Sequence, residues 1–119
     1  MRRVVVTGMG ALTPVGNNVE EFWKNLVNGV SGCDMITRFD TEHFKTKFAC
    51  ELKGFDPMDH FDRKEARKLD RYAQYGMVAA EEAFQHAGLA DADINKDRAG
   101  IIWASGIGGI DTFMNEIVG

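Results

Sequence analysis

Ala99-Gly100-Ile101-Ile102-Trp103-Ala104-Ser105-Gly106-Ile107-Gly108-Gly109 reads as a short apolar strand that runs into a turn holding three glycines. Its apolar run is unbroken, not alternating, which is the pattern of a strand covered on both faces. The glycines permit positive φ or a close approach by another backbone or a ligand. Ile107, large and apolar, stands between two of them. It suits a core position, or an apolar wall beside a ligand pocket carried on flexible backbone.

Working upstream, residues 63–87 predict the longest helix. At about 100° per residue, Leu69, Tyr72, Ala73, Gly76, Met77, Ala80, Ala83, Phe84 and Ala87 share one face. Gly88 is placed to end it. The small residues Ala79, Ala80 and Ala83 predict close packing against another element. Further upstream, Val4-Val5-Val6 predicts a second buried strand, ending in Thr7-Gly8-Met9-Gly10. Asn17 or Asn18 is placed to cap a helix whose apolar stripe is Phe22, Trp23, Leu26 and Val27, with Glu20 and Glu21 in its first turn and Asn28-Gly29 at its end. Residues 30–60 show no clear period and predict an irregular segment pinned by Phe39, Phe44, Phe48 and Phe55, with a short strand near Phe48-Ala49-Cys50. Residues 89–97 read as polar loop, and residues 111–118 as the start of a helix. Strand, helix, insertion, helix, strand, helix is the alternation of an α/β fold with helices covering a sheet. Two strands do not make a stable sheet alone, so the sequence predicts an N-terminal piece of a larger α/β protein, without an internal boundary over residues 1–119.

The 119 residues are 45% apolar and 27% charged, with a formal net charge of −4. That is globular composition, and the overall field opposes nucleic acid and acidic membranes. Residues 4–6 are too short an apolar run for a signal peptide, and no stretch approaches the roughly 20 apolar residues of a membrane span. A cytoplasmic protein is expected. Cys33 and Cys50 form no CxxC pair and read as reduced thiols. Glu51, next to Cys50, discourages a thiolate there. His43, His60 and His86 share no metal-ligand spacing.

Two motifs invite functional readings. Gly8-Met9-Gly10-Ala11-Leu12-Thr13 begins like a dinucleotide fingerprint but places Thr13-Pro14 where a small residue should let helix and strand pack. A structural turn is the better reading. Arg63, Lys64, Arg67, Lys68 and Arg71 fall within about 140° of a helical wheel, opposite the apolar face. Glu65 and Asp70 lie off that stripe. A solvated surface is the plain interpretation; the functional one is docking of an acidic protein partner.

Val4-Val5-Val6-Thr7-Gly8-Met9-Gly10 with Thr13-Pro14-Val15-Gly16, Arg63-Lys64-Glu65-Ala66-Arg67-Lys68-Leu69-Asp70 with Gln74-Tyr75-Gly76, and Ser105-Gly106-Ile107-Gly108-Gly109 together resemble the β-ketoacyl-[acyl-carrier-protein] synthases, in order along the whole chain. Isoleucine in the glycine turn looks like the type II, elongating branch; type I enzymes usually carry glycine there. The resemblance covers under a third of a typical member. It implies a thiolase-like, layered α-β-α-β-α fold in a cytoplasmic homodimer, of which this chain is the N-terminal part of the N-terminal domain. It implies an acyltransferase of fatty-acid synthesis that performs a decarboxylative Claisen condensation between an acyl-enzyme and malonyl-acyl-carrier protein, without metal or organic cofactor. The family's nucleophilic cysteine and both histidines are expected beyond residue 119, since Cys33, Cys50 and the three histidines match none of them. No catalytic residue is therefore assigned here. What carries over is Lys64, Arg67 and Lys68 for docking the acidic carrier, and Ile107 as the gate of the acyl pocket. Trp103 departs from the small or aliphatic residue expected in its strand. A polyketide-synthase ketosynthase and a non-catalytic carrier-binding module are the alternatives.

Overall fold

The structure is a computed structural model that describes residues 1–118. It resolves into two compact units, residues 11–55 and residues 1–10 with 56–118.

The unit of residues 11–55 opens on a tight corner. Thr13 and Gly16 exchange backbone hydrogen bonds at 2.8 and 3.1 Å around Pro14-Val15. Helix α1, Val19–Val27, follows. Asn18 caps it through a side chain that accepts from the Glu21 amide at 2.8 Å, while the Glu21 carboxylate accepts from the Asn17 amide at 2.9 Å. The Asn18 side chain thus satisfies one amide that the first turn leaves unpaired, and Glu21 reaches back to the residue before the cap. Of the two asparagines predicted as caps, Asn18 performs that role, and Asn17 donates instead to the Lys53 carbonyl at 2.7 Å. Asn25, on α1, donates to the Val15 carbonyl at 2.6 Å and fixes the corner against the helix.

Beyond α1 the segment is irregular, as predicted, with one antiparallel pair of two-residue strands: β1, Asp34–Met35, and β2, Phe48–Ala49. The sequence shows β2 through Phe48 but not β1, whose Asp34-Met35 holds no β-branched or aromatic residue. Thr37 donates to Glu51 through its amide at 3.2 Å and its hydroxyl at 2.8 Å. The hydroxyl bond is the main reason that the Glu51 carboxyl titrates below its usual range. Phe39 and Phe44 meet edge to face at 5.4 Å.

In the other unit the predicted single helix over 63–87 is broken. Helix α2 covers Arg63–Ala66 and helix α3 covers Arg71–His86, with Arg67, Lys68 and Leu69 in the elbow. Asp62 opens α2, and Asp70 with Gln74 makes the break that follows it. Asp62 caps α2 by accepting from the Lys64 and Glu65 amides, both at 2.8 Å. Asp70 caps α3 by accepting from the Tyr72 amide at 3.3 Å. Gln74 then donates from α3 to the Ala66 and Leu69 carbonyls at 2.9 and 3.2 Å, satisfying acceptors that the end of α2 leaves free. Gln74 is 6% exposed. Helix α3 ends one residue before the expected Ala87. Gly88, at φ 66°, and Leu89 donate to the Gln85 and Phe84 carbonyls in a Schellman arrangement.

The small residues of α3 meet a partner, as their size predicts. The extended N-terminal segment crosses α3 there: a Cβ on Gly10 would collide with the Ala79 carbonyl, and one on Gly8 with that of Ala83. The Met9 amide donates to His86 Nδ1 at 3.1 Å, which gives this histidine a structural role. Trp103 lies on the same helix. Its indole nitrogen donates to the Tyr72 carbonyl at 2.9 Å, and its ring fills the space over Gly76, where a Cβ would stand 2.5 Å from that nitrogen. The pairing of a large residue at 103 with none at 76 accounts for the residue that the sequence left unexplained.

The two predicted buried strands differ from expectation. Val4, Val5 and Val6 and residues 99–104 pair in no ladder among the described residues, and their large apolar side chains are exposed. Both segments have strand composition, but a strand becomes a strand only beside a neighbour that takes its amides and carbonyls. A short helical turn, Lys96–Arg98, closes the predicted polar loop, and helix α4, Ile110–Val118, begins one residue earlier than predicted.

Candidate functional site

The glycine turn is closed by its own serine. Ser105 Oγ accepts from the Gly108 amide at 2.8 Å and donates to the Gly108 carbonyl at 2.9 Å. Gly108 has φ 80°, a left-handed conformation that the turn requires and that a side chain would strain. Ile107 is held out at 80% exposure, so it is not a core residue within this unit. It forms one wall of an apolar cleft of about 470 Å³, completed by Gly109, Ile110, Phe113 and Met114 from the first turns of α4.

Lys64 lies in α2, Arg67 caps its C-terminus, and Lys68 follows in the elbow. All three are exposed, and none has an ion-pair partner among the described residues. The helical wheel is corrected here: the stripe does not run along one helix, because the elbow turns the chain between Arg67 and Arg71. Arg71, the fifth cation, faces α4 and lies 4.0 Å from Asp111. Both partners are over half exposed, so this pair adds little.

Sequence reasoning passed over Asp70 because it lies off the basic stripe. One carboxylate oxygen caps α3, and the other accepts from the Thr112 amide at 3.0 Å and the Thr112 hydroxyl at 2.7 Å. The hydroxyl bond chiefly holds the Asp70 carboxyl below its usual range. The missed signal was local: an aspartate just before Arg71-Tyr72-Ala73 is a helix-cap pattern. A second cleft, about 420 Å³, lies between elbow and α4, lined by Lys68, Asp70, Tyr72, Gly109, Thr112 and Phe113 among others.

Cys33 and Cys50 are free and exposed. Among the described residues, no group of three His, Cys, Asp or Glu side chains is placed to hold a metal ion, and no helix is long and apolar enough to cross a membrane.

The geometry thus gives a glycine turn with an exposed isoleucine over an apolar cleft, next to a basic elbow. Residues 1–117 match the family model described as beta-ketoacyl synthase, N-terminal domain. The chain belongs to the β-ketoacyl synthase family. It is 53% identical over 112 residues to 3-oxoacyl-[acyl-carrier-protein] synthase 2 of Staphylococcus aureus (strain N315), covering 94% of this chain and 27% of that protein. It is 49% identical over 110 residues to the protein of the same name from Vibrio cholerae serotype O1, again covering 27% of that relative. A solved structure titled "The ishigamide ketosynthase/chain length factor" superposes on 98% of this chain with a TM-score of 0.71 and 33% identity, using 30% of its own length. The fold is therefore that of the thiolase-like ketosynthases, and the chain spans about 27% of the length of these curated relatives.

Proposed function

We propose that this chain supplies the N-terminal part of a type II condensing enzyme of fatty-acid elongation. The observation that carries the reading is the 53% identity, sustained over 94% of the chain, to a 3-oxoacyl-[acyl-carrier-protein] synthase 2. Relatives of that name in two bacteria, at 53% and 49% identity, favour fatty-acid elongation over the polyketide alternative. In the proposed reaction an enzyme thiolate, outside these 119 residues, attacks an acyl thioester and the carrier thiol leaves. Malonyl-carrier protein then loses carbon dioxide. Its carbanion attacks the acyl-enzyme thioester, and the enzyme thiolate is released. Lys64, Arg67 and Lys68 dock the acidic carrier, and Ile107 gates the acyl pocket. A cytoplasmic homodimer completes the proposal.

The test is condensation by the full-length enzyme with acyl-carrier and malonyl-carrier proteins. A β-ketoacyl-carrier product is expected. Carrier binding without product would favour the non-catalytic binding module.

Ile107 has its own test in that enzyme. A packed acyl pocket has few voids, so a long chain can enter only if something moves. Ile107, flanked by glycines and exposed on one side of the apolar cleft, is free to swing. Ile107→Phe adds bulk to a closing wall, and overpacking costs about 1–3 kcal/mol. Acylation by long chains is expected to slow about tenfold while short chains are spared. Ile107→Gly is expected to flatten the dependence on chain length. Acylation rate measured against chain length checks both; a uniform change at every length would make Ile107 ordinary packing.

A further inference from the structure

The Asp70 carboxylate is shared between two helices, and one of them begins at the gate turn. Its Oδ1 accepts from the Tyr72 amide and so belongs to the cap of α3. Its Oδ2 accepts from both the amide and the hydroxyl of Thr112, in the first turn of α4. The 2.7 Å hydroxyl bond has the length of a charge-assisted contact. Gly109 makes the approach possible, because a Cβ there would stand 3.0 Å from the Asp70 carboxyl group.

Ile107 lies two residues before Gly109, and Gly109 and Phe113 line both clefts described above. The turn's own hydrogen bonds, Ser105 to Gly108, are internal and fix its shape but not its position. On its upstream side the turn is tied to α3 by the Trp103 indole, bonded to the Tyr72 carbonyl; on its downstream side, where it runs into α4, its position comes from Asp70 and Thr112, with the exposed Arg71–Asp111 pair as a weaker second tie.

We propose that Asp70, acting through Thr112, is a positioning residue for the gate: it fixes where the Ile107 turn stands and thereby sets how steeply acylation falls with acyl-chain length. This inference rests on the acyl-pocket reading of Ile107 given above and deepens it. Lys68, two residues before Asp70, also places the clamp next to the proposed carrier-docking elbow.

The test uses Thr112→Val in the full-length enzyme. This variant removes the hydroxyl donor but keeps the Thr112 amide and leaves the Asp70–Tyr72 cap of α3 in place. Acylation is followed with carrier-free acyl thioesters of increasing length, so that docking plays no part. A looser turn closes the pocket less well, so the long-to-short rate ratio is expected to rise about three- to tenfold, the effect of one ordinary hydrogen bond at an exposed site. Thr112→Ser restores the donor and is expected to restore the parent ratio. An unchanged or lowered ratio, or a serine variant that behaves like valine, overturns the inference. Amide hydrogen exchange gives a readout that does not depend on activity. Residues 105–113 are expected to exchange faster in Thr112→Val while residues 74–86 do not change; equal exchange in parent and variant also overturns it. If the parent enzyme forms no acyl-enzyme, the condensing-enzyme reading fails, and the exchange experiment still decides whether the clamp holds the turn.

Discussion

The 119-residue polypeptide on its own is expected to form no β-ketoacyl product and to show no cooperative unfolding transition. Folded chains of 13.2 kDa expose about 6,400 Å² by the usual scaling of surface with mass. This one exposes 10014 Å². No apolar side chain among the described residues is buried, and Val4 and Ile102 stand at 90% and 99% exposure. Helices α1, α3 and α4 are well formed, yet most stability of protein helices comes from burying an apolar face, and here the faces of α1 and α4 are open and that of α3 is only partly covered. On the proposed reading, the family's nucleophile and histidines also lie outside these 119 residues. Size-exclusion chromatography is expected to show association, and dye binding to show exposed apolar surface. A sharp denaturant transition from a monomeric 119-residue chain would refute this expectation, as would product above a no-enzyme control.

The same openness explains what the sequence could and could not show. Local chemistry was legible. Asn18 with Glu21, and Gly88 after the last turn of α3, are signals that act within a few residues. The glycine turn and the small face of α3 were legible too, because Ala79 and Ala83 leave room that only a close neighbour uses. The break at Arg67–Asp70 was missed because helical periodicity runs straight through it. The Asp70 cap and the Gln74 side chain, acting from outside the period, outweigh that pattern. Val4, Val5 and Val6 and residues 101–104 have the composition of strands, but pairing is a property of a neighbour and not of the segment. Trp103 was opaque for a related reason. Its hydrogen-bond acceptor, the Tyr72 carbonyl, lies 31 residues away. At the candidate site, Ile107 and the cations were identified from motif resemblance, whereas Asp70 emerged only when α4 was seen to come back against the elbow.

Reversing Lys64, Arg67 and Lys68 together to glutamate is expected to raise the KM of the full-length enzyme for acyl-carrier protein on the order of a hundredfold at low salt. The three side chains are exposed and without ion-pair partners among the described residues, so the change breaks no internal contact of theirs. Each attraction lost at an exposed site is worth about 0.2–1 kcal/mol. Each reversal adds repulsion of similar size, so three positions together amount to about 1–6 kcal/mol, the middle of which is a little over a hundredfold at about 1.4 kcal/mol per tenfold. The effect should fall mainly on association and shrink as salt rises, because the Debye length is about 8 Å at 0.15 M and about 3 Å at 1 M. Arg71, paired with Asp111 across to α4, serves as the internal control: Arg71→Glu is expected to change carrier KM less than the triple reversal. The decisive comparison is a small acyl thioester that lacks the carrier. Its rate should hardly move, since none of the three cations lines the apolar cleft under Ile107. Equal losses on both substrates would show that the cations act on the fold of the elbow and not on docking, and the solvated-surface interpretation of the stripe would then stand.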